Sequence, residues 1–210
     1  MARSTRDLAG LALGVGTLVG TAALARRPIS RTEILAFRAV NDLPEAGWPA
    51  IWLPMQYGTF GTVPASAVLA FARNRPRLAL AIGVGGTAAW LSAKACKRLI
   101  GRERPAGVIG DVQLRGVEEG DLGFPSGHAA VSAALTVVAL PSVTDGWRCS
   151  LAALSGFVPL ARMYVGAHLP LDVVGGSALG LAIGSTVNLL IPARPGGEGP
   201  DPEEPGIGPP

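Results

Sequence analysis

Apolar residues in this chain run in long uncharged blocks and do not alternate with polar ones. No Asp, Glu, Lys or Arg falls within residues 8–25, 46–72 or 173–193. A helix rises ~1.5 Å per residue, so about 20 apolar residues cross a hydrocarbon core of ~30 Å. Three blocks near that length, rich in Ala, Leu, Val and Gly, predict membrane spans. Three more are interrupted only lightly: 78–96 holds Lys94, 128–143 follows His128, and 149–167 holds Arg162. The pattern predicts an all-α, polytopic membrane protein with six transmembrane helices, at roughly 8–25, 50–72, 78–97, 127–143, 149–167 and 171–192.

Between the first two spans, Ser30 and Glu33 have capping-box spacing, which marks a helix start. From there to Asn41, Ile34, Leu35, Phe37 and Val40 gather near one side, against Arg31, Glu33 and Arg38. That predicts a short amphipathic helix at the membrane interface. In the first span, Arg3, Arg6 and Ala23-Leu24-Ala25 also fit a signal peptide, but Arg26 and Arg27 after the cut favour a retained anchor. The Gly-, Pro- and Glu-rich tail 193–210 is expected to be disordered, leaving residues 1–192 as one membrane domain. Cys96 and Cys149 fall at opposite membrane faces in this layout, so both are expected to be buried small hydrophobes without a disulfide.

Composition agrees with the pattern. The chain is 49% hydrophobic and 16% charged, where soluble domains average about 25% charged. That excludes a soluble domain, a disordered chain and a coiled coil. A net charge of +3 with no Lys/Arg block excludes a nucleic-acid partner.

The chemistry lies where charge meets the spans. In an alternating topology the end of span three, the start of four, the end of five and the start of six share one face. Lys97, Arg104, His128, Arg162, His168 and Asp172 all fall there. Lys94, Arg98 and Arg102 are read as juxtamembrane charges outside the site. Cations without matching carboxylates call for a multiply charged anion. Ser126 is a candidate N-cap and Gly127 bares its amide, a helix start suited to phosphate. His168 and Asp172, four apart, place a carboxylate where it fixes one imidazole nitrogen and leaves the other as a nucleophile. His128 is then the general acid. Such a phosphoryl-transfer site needs no metal or other cofactor. Glu118, Glu119 and Asp121 have no histidine spaced with them as a ligand set and are read as a solvated loop. Trp48 and Trp52 are read as interface anchors.

Three ordered pieces carry a family resemblance. Lys97-(six residues)-Arg104-Pro105, Pro125-Ser126-Gly127-His128 and Arg162-(five residues)-His168-(three residues)-Asp172 lie within residues 97–172. They resemble the signature motifs of the type-2 phosphatidic acid phosphatase superfamily, which also includes bacterial acid phosphatases and vanadium haloperoxidases. The resemblance implies a phosphohistidine on His168, oriented by Asp172, with His128 protonating the leaving group. It implies that Lys97, Arg104, Ser126, the Gly127 amide and Arg162 hold the phosphoryl oxygens. The family usually has Ser before the third-motif Arg; Ala161 stands here, so one hydroxyl ligand is missing. The implied substrate is a lipid phosphate or diphosphate, such as a polyprenyl diphosphate, phosphatidic acid or phosphatidylglycerol phosphate, drawn from the surrounding membrane lipids. A phosphotransferase of the same mechanism and a silent anionic-lipid-binding membrane protein are the alternatives. The resemblance also implies a site on the extracytoplasmic face of a bacterial plasma membrane.

Overall fold

A computed structural model describes residues 3–116 and 122–192. The predicted tail 193–210 and the acidic residues Glu118, Glu119 and Asp121 lie outside the described residues. In chain order come α1 (Arg3–Ala25), α2 (Arg31–Asn41), α3 (Trp48–Met55), α4 (Thr62–Ala72), α5 (Pro76–Ile100), the single turn α6 (Pro105–Val108), α7 (Gly127–Ala139), α8 (Asp145–Tyr164) and α9 (Pro170–Leu190). The described residues are helical apart from turns, loops and one isolated bridge between Glu103 and Leu122.

By length and composition, α1, α5 and α9 can each cross a membrane. Helix α7 runs on through a 3-10 turn to Ser142, and α8 has 20 residues but carries Asp145, Arg148 and Arg162. The predicted span at 50–72 is not one helix. Pro54 ends α3, because proline has no amide to bond the preceding turn. A 3-10 turn at Gln56–Gly58 follows, and the Thr59 and Thr62 hydroxyls both donate to the Gln56 carbonyl at 2.8 Å. The break thus satisfies its own backbone before α4 resumes.

Helix α9 packs against α1 on one side and α7 on the other. Gly176, Gly180 and Gly184 repeat every four residues toward α7, and a Cβ at Gly176 or Gly180 would overlap the Ser126 or Ala130 carbonyl. On the other side a Cβ at Gly14 of α1 would stand 2.7 Å from the Ala178 carbonyl. Small residues that let backbones approach this closely are how helices associate without a hydrophobic drive. Asn188 on α9 also donates to Asp7 on α1 at 3.3 Å. Leu13, Val19, Val68, Phe71, Leu91 and Leu190 face outward, the surface a lipid solvent would wet.

Two expectations are corrected. Ser30 caps α2 by accepting from the Glu33 amide at 3.1 Å, but the Glu33 carboxylate turns away from Ser30. The buried stripe of α2 is Glu33, Phe37 and Asn41, while Leu35 is exposed. Its polar members find partners elsewhere in the fold: Asn41 donates to the Gln113 and Tyr164 carbonyls at 2.9 and 3.0 Å. Helix α2 therefore packs onto the bundle by a mixed stripe, with Phe37 in an apolar cluster and Glu33 and Asn41 held by hydrogen bonds. Of the cysteines, both free, Cys96 is half-buried and Cys149 is exposed.

Candidate active site

The end of α5, the start of α7, the end of α8 and the approach to α9 converge on a cavity of about 890 Å³. Lys97, Arg104, Gly127, His128, Arg162 and His168 all line it. Ser126 and Asp172 do not; both are fully buried behind the wall. The Ser126 hydroxyl accepts from the Ala129 amide at 3.4 Å, capping α7 from within and leaving Gly127 at the surface of the cavity.

Local turns place the cations. Helix α5 ends at Gly101, whose φ of +67° suits glycine and whose amide donates to Lys97 O at 2.9 Å. The reversal carries Arg102 and Arg104 back against the bundle. Lys97 Nζ donates to the Leu122 carbonyl at 2.6 Å, tying the approach to α7 down over α5.

Asp172 has more partners than the motif spacing predicts. Its Oδ2 accepts from the Leu169 amide at 2.9 Å and lies 3.7 Å from His168 Nδ1, beyond hydrogen-bond range. Its Oδ1 is held by Arg102 Nη1 at 2.8 Å, and Arg102 Nη2 reaches Glu33 Oε2 at 2.7 Å. Glu33 Oε1 in turn accepts from the Leu171 amide at 3.1 Å. Arg102 is thus no juxtamembrane charge. It is buried and joins α2 to the start of α9. Burial works against its charge, but the hydrogen bond to Glu33 and the carboxylates of Asp172 and Glu33 outweigh that and raise its pKa.

His168 is 2% exposed. Burial first, then the positive charges of Arg162, Lys97 and Arg104, hold its pKa well below the usual imidazole range, against a hydrogen bond to the Gly123 backbone. That direction favours the neutral imidazole, the form a nucleophile requires. Among the described residues no three His, Cys, Asp or Glu side chains gather as a metal site.

Ala161, where the resemblance expects Ser, packs in an apolar cluster with Met55, Tyr164 and Val165. It is not among the cavity-lining residues, whereas the next residue, Arg162, is.

The cavity also has an aromatic lining. Trp48 and Trp52, expected to be interface anchors, line it together with Phe60 and Trp90. Lys94 lines it too, with its ammonium 3.7 Å from the centroid of the Trp90 ring. Phe60 stacks on the same indole at 4.6 Å. Arg115 adds another cation, held by the Asn41 carbonyl at 3.0 Å and the Leu43 carbonyl at 2.7 Å, with its guanidinium 4.1 Å above the Tyr164 ring. Arg98 stays exposed and outside the cavity.

The sequence profile of the PAP2 superfamily matches residues 69–195. A decaprenylphosphoryl-5-phosphoribose phosphatase of Mycolicibacterium smegmatis is 34% identical over 157 residues, covering 74% of this chain and 76% of that protein. An undecaprenyl-diphosphatase of Sulfolobus acidocaldarius is 26% identical over 119 residues, covering 56% of this chain and 57% of its own length. The chain thus spans little more than half of that relative. Two crystal structures share the fold. LpxE of Aquifex aeolicus gives a TM-score of 0.65 at 19% identity, over 73% of this chain and 93% of that one. A PAP2-type phosphatidylglycerolphosphate phosphatase of Bacillus subtilis gives 0.64 at 22% identity, over 85% and 95%.

Proposed function

The chain belongs to the PAP2 superfamily, and from that premise we propose that it is a membrane phosphatase removing the terminal phosphate of a lipid phosphate or diphosphate. One observation carries the reading: both histidines of the chain face a single cavity together with Lys97, Arg104 and Arg162. The chain crosses the membrane six times, with α3 and α4 together making the second crossing. The site opens on the extracytoplasmic face of a bacterial plasma membrane.

The three cations and the Gly127 amide hold the phosphoryl oxygens, with planar paired bonds from the arginines and a compact charge from Lys97. A His168 nitrogen attacks phosphorus as the bond to the leaving oxygen breaks, and His128 gives that oxygen its proton. Water then attacks the phosphohistidine while His128 takes a proton from it, releasing inorganic phosphate and restoring His168. Asp172 steadies the imidazole by its charge at 3.7 Å. Ser126 keeps the α7 start in shape through its cap. No step needs a metal.

Rapid quenching with radiolabelled lipid phosphate tests this. The expected product is protein-bound phosphate that survives alkali and is lost in acid, the stability of a phosphoimidazole. Turnover with no such species sinks the covalent route. The pH profile is a second test. Protonation of His168 removes the lone pair that attacks, and its pKa is held low in the free protein. The acid limb of kcat/KM is therefore expected below the ordinary imidazole value of about 6.5. A limb at or above that value contradicts His168 as the nucleophile.

A further inference from the structure

The cavity holds more positive charge than one phosphate requires. Lys94, Lys97, Arg104, Arg115 and Arg162 line it, and no Asp or Glu does among the described residues. A phosphomonoester brings at most about two negative charges. Three of these cations already surround the two histidines, so Lys94 and Arg115 answer to something else.

Their position says what. Helix α5 runs from Pro76 to Ile100 and meets the site at its C-terminal end. Lys94, three residues before Lys97, stands about 4.5 Å deeper in the membrane along the axis, and Trp90 a further 6 Å or so deeper. All three side chains line the same cavity. A lysine inside a crossing helix is costly unless it meets an anion or a polar cavity. Lys94 rests instead on the face of Trp90, at 3.7 Å. That cation–π contact is weaker than a charge-assisted bond to phosphate, so the ammonium is free to change partner. Arg115 is fixed by backbone carbonyls and supplies charge without moving.

We infer that Lys94 forms a second phosphoryl subsite, which takes the lipid-side phosphate of a lipid diphosphate whose terminal phosphate sits at Lys97, Arg104 and Arg162. Adjacent phosphoryl groups lie closer together than one helix turn, within reach of the flexible lysine stem. The phosphate attached to the tail is the deeper of the two, as Lys94 is deeper than Lys97. Beyond it Trp90, Phe60 and Trp52 receive the first carbons of the chain. Along its cavity face α5 reads phosphate, phosphate, hydrocarbon.

The inference rests on the phosphatase reading, and two measurements on the full chain in detergent separate them. Calorimetry compares inorganic diphosphate with inorganic phosphate; hydrolysis compares farnesyl diphosphate with farnesyl phosphate. The wild type is expected to prefer the diphosphate in both. Lys94→Gln, at a side chain exposed to the cavity, is expected to cut that preference about tenfold, the size of one lost charge-assisted bond. Lys94→Arg restores it in part. A preference that survives Lys94→Gln, or equal loss on both ligands, overturns the subsite. A preference for inorganic diphosphate that vanishes in Lys94→Gln, with neither lipid hydrolysed by the wild type, keeps the subsite and overturns the phosphatase reading.

Discussion

His168→Ala is expected to lower phosphate release by about four orders of magnitude or more while leaving lipid phosphate binding close to that of the wild type. The imidazole is the group that bonds to phosphorus, and removal of a nucleophile costs on that scale in enzymes whose catalytic residues act as a unit. Binding survives because Lys97, Arg104, Arg162 and the Gly127 amide stay in place around the same cavity. The split between kcat and binding is the informative readout, taken by hydrolysis of a lipid phosphate beside calorimetric titration with inorganic phosphate. A variant that folds, binds and turns over at the wild-type rate ends the phosphohistidine mechanism. Because the 2% exposed ring is deeply packed, thermal unfolding of the variant belongs beside the kinetics.

Arg102→Ala is expected to damage both stability and turnover. The side chain bridges two buried carboxylates, Glu33 at 2.7 Å and Asp172 at 2.8 Å, and removing it strands both. Breaking a buried pair by deleting one partner costs about 3–5 kcal/mol, chiefly because the remaining charge is left without compensation. In a chain of this size that lowers Tm by about 10 °C. Turnover falls as well, since the Asp172 carboxylate that faces His168 loses the bond holding its Oδ1. Adding Glu33→Gln to Arg102→Ala removes one of the two stranded charges and is expected to recover part of the lost Tm. Equal Tm values for wild type and Arg102→Ala would show that the buried pairs carry no net stability.

The contrast between Lys97 and Arg102 shows how far the sequence could be read. Lys97, Arg104, His128, Arg162 and His168 are legible because each sits at a span end, and helical spacing with an alternating topology brings those ends to one face. No tertiary partner has to be known. Arg102 lies among the same cations and looks like one more interfacial charge. What sets it apart is Glu33, 69 residues away on α2. Pairing at that range leaves no periodic trace. Trp48 and Trp52 escaped for a related reason: an aromatic residue near a span end looks the same whether it anchors in head groups or lines a cavity. The long spans α1, α5 and α9 were plain from uncharged length alone. The interruption of span two was hidden because Pro54 and Gly61 are apolar enough to leave the hydropathy pattern unbroken.

That interruption bears on what concentration means to this protein. Helices α3 and α4 have 8 and 11 residues, so neither alone reaches much beyond half of a ~30 Å hydrocarbon layer. Trp52, Met55, Gln56, Gly58, Thr59 and Phe60, which stand at the join, all line the cavity. On the proposed reading this join is the side door of the cavity, and a lipid substrate arrives sideways from the bilayer. Its encounter rate then follows the number of substrate molecules per unit area of membrane, and diluting the bulk solution around intact membranes leaves that number unchanged.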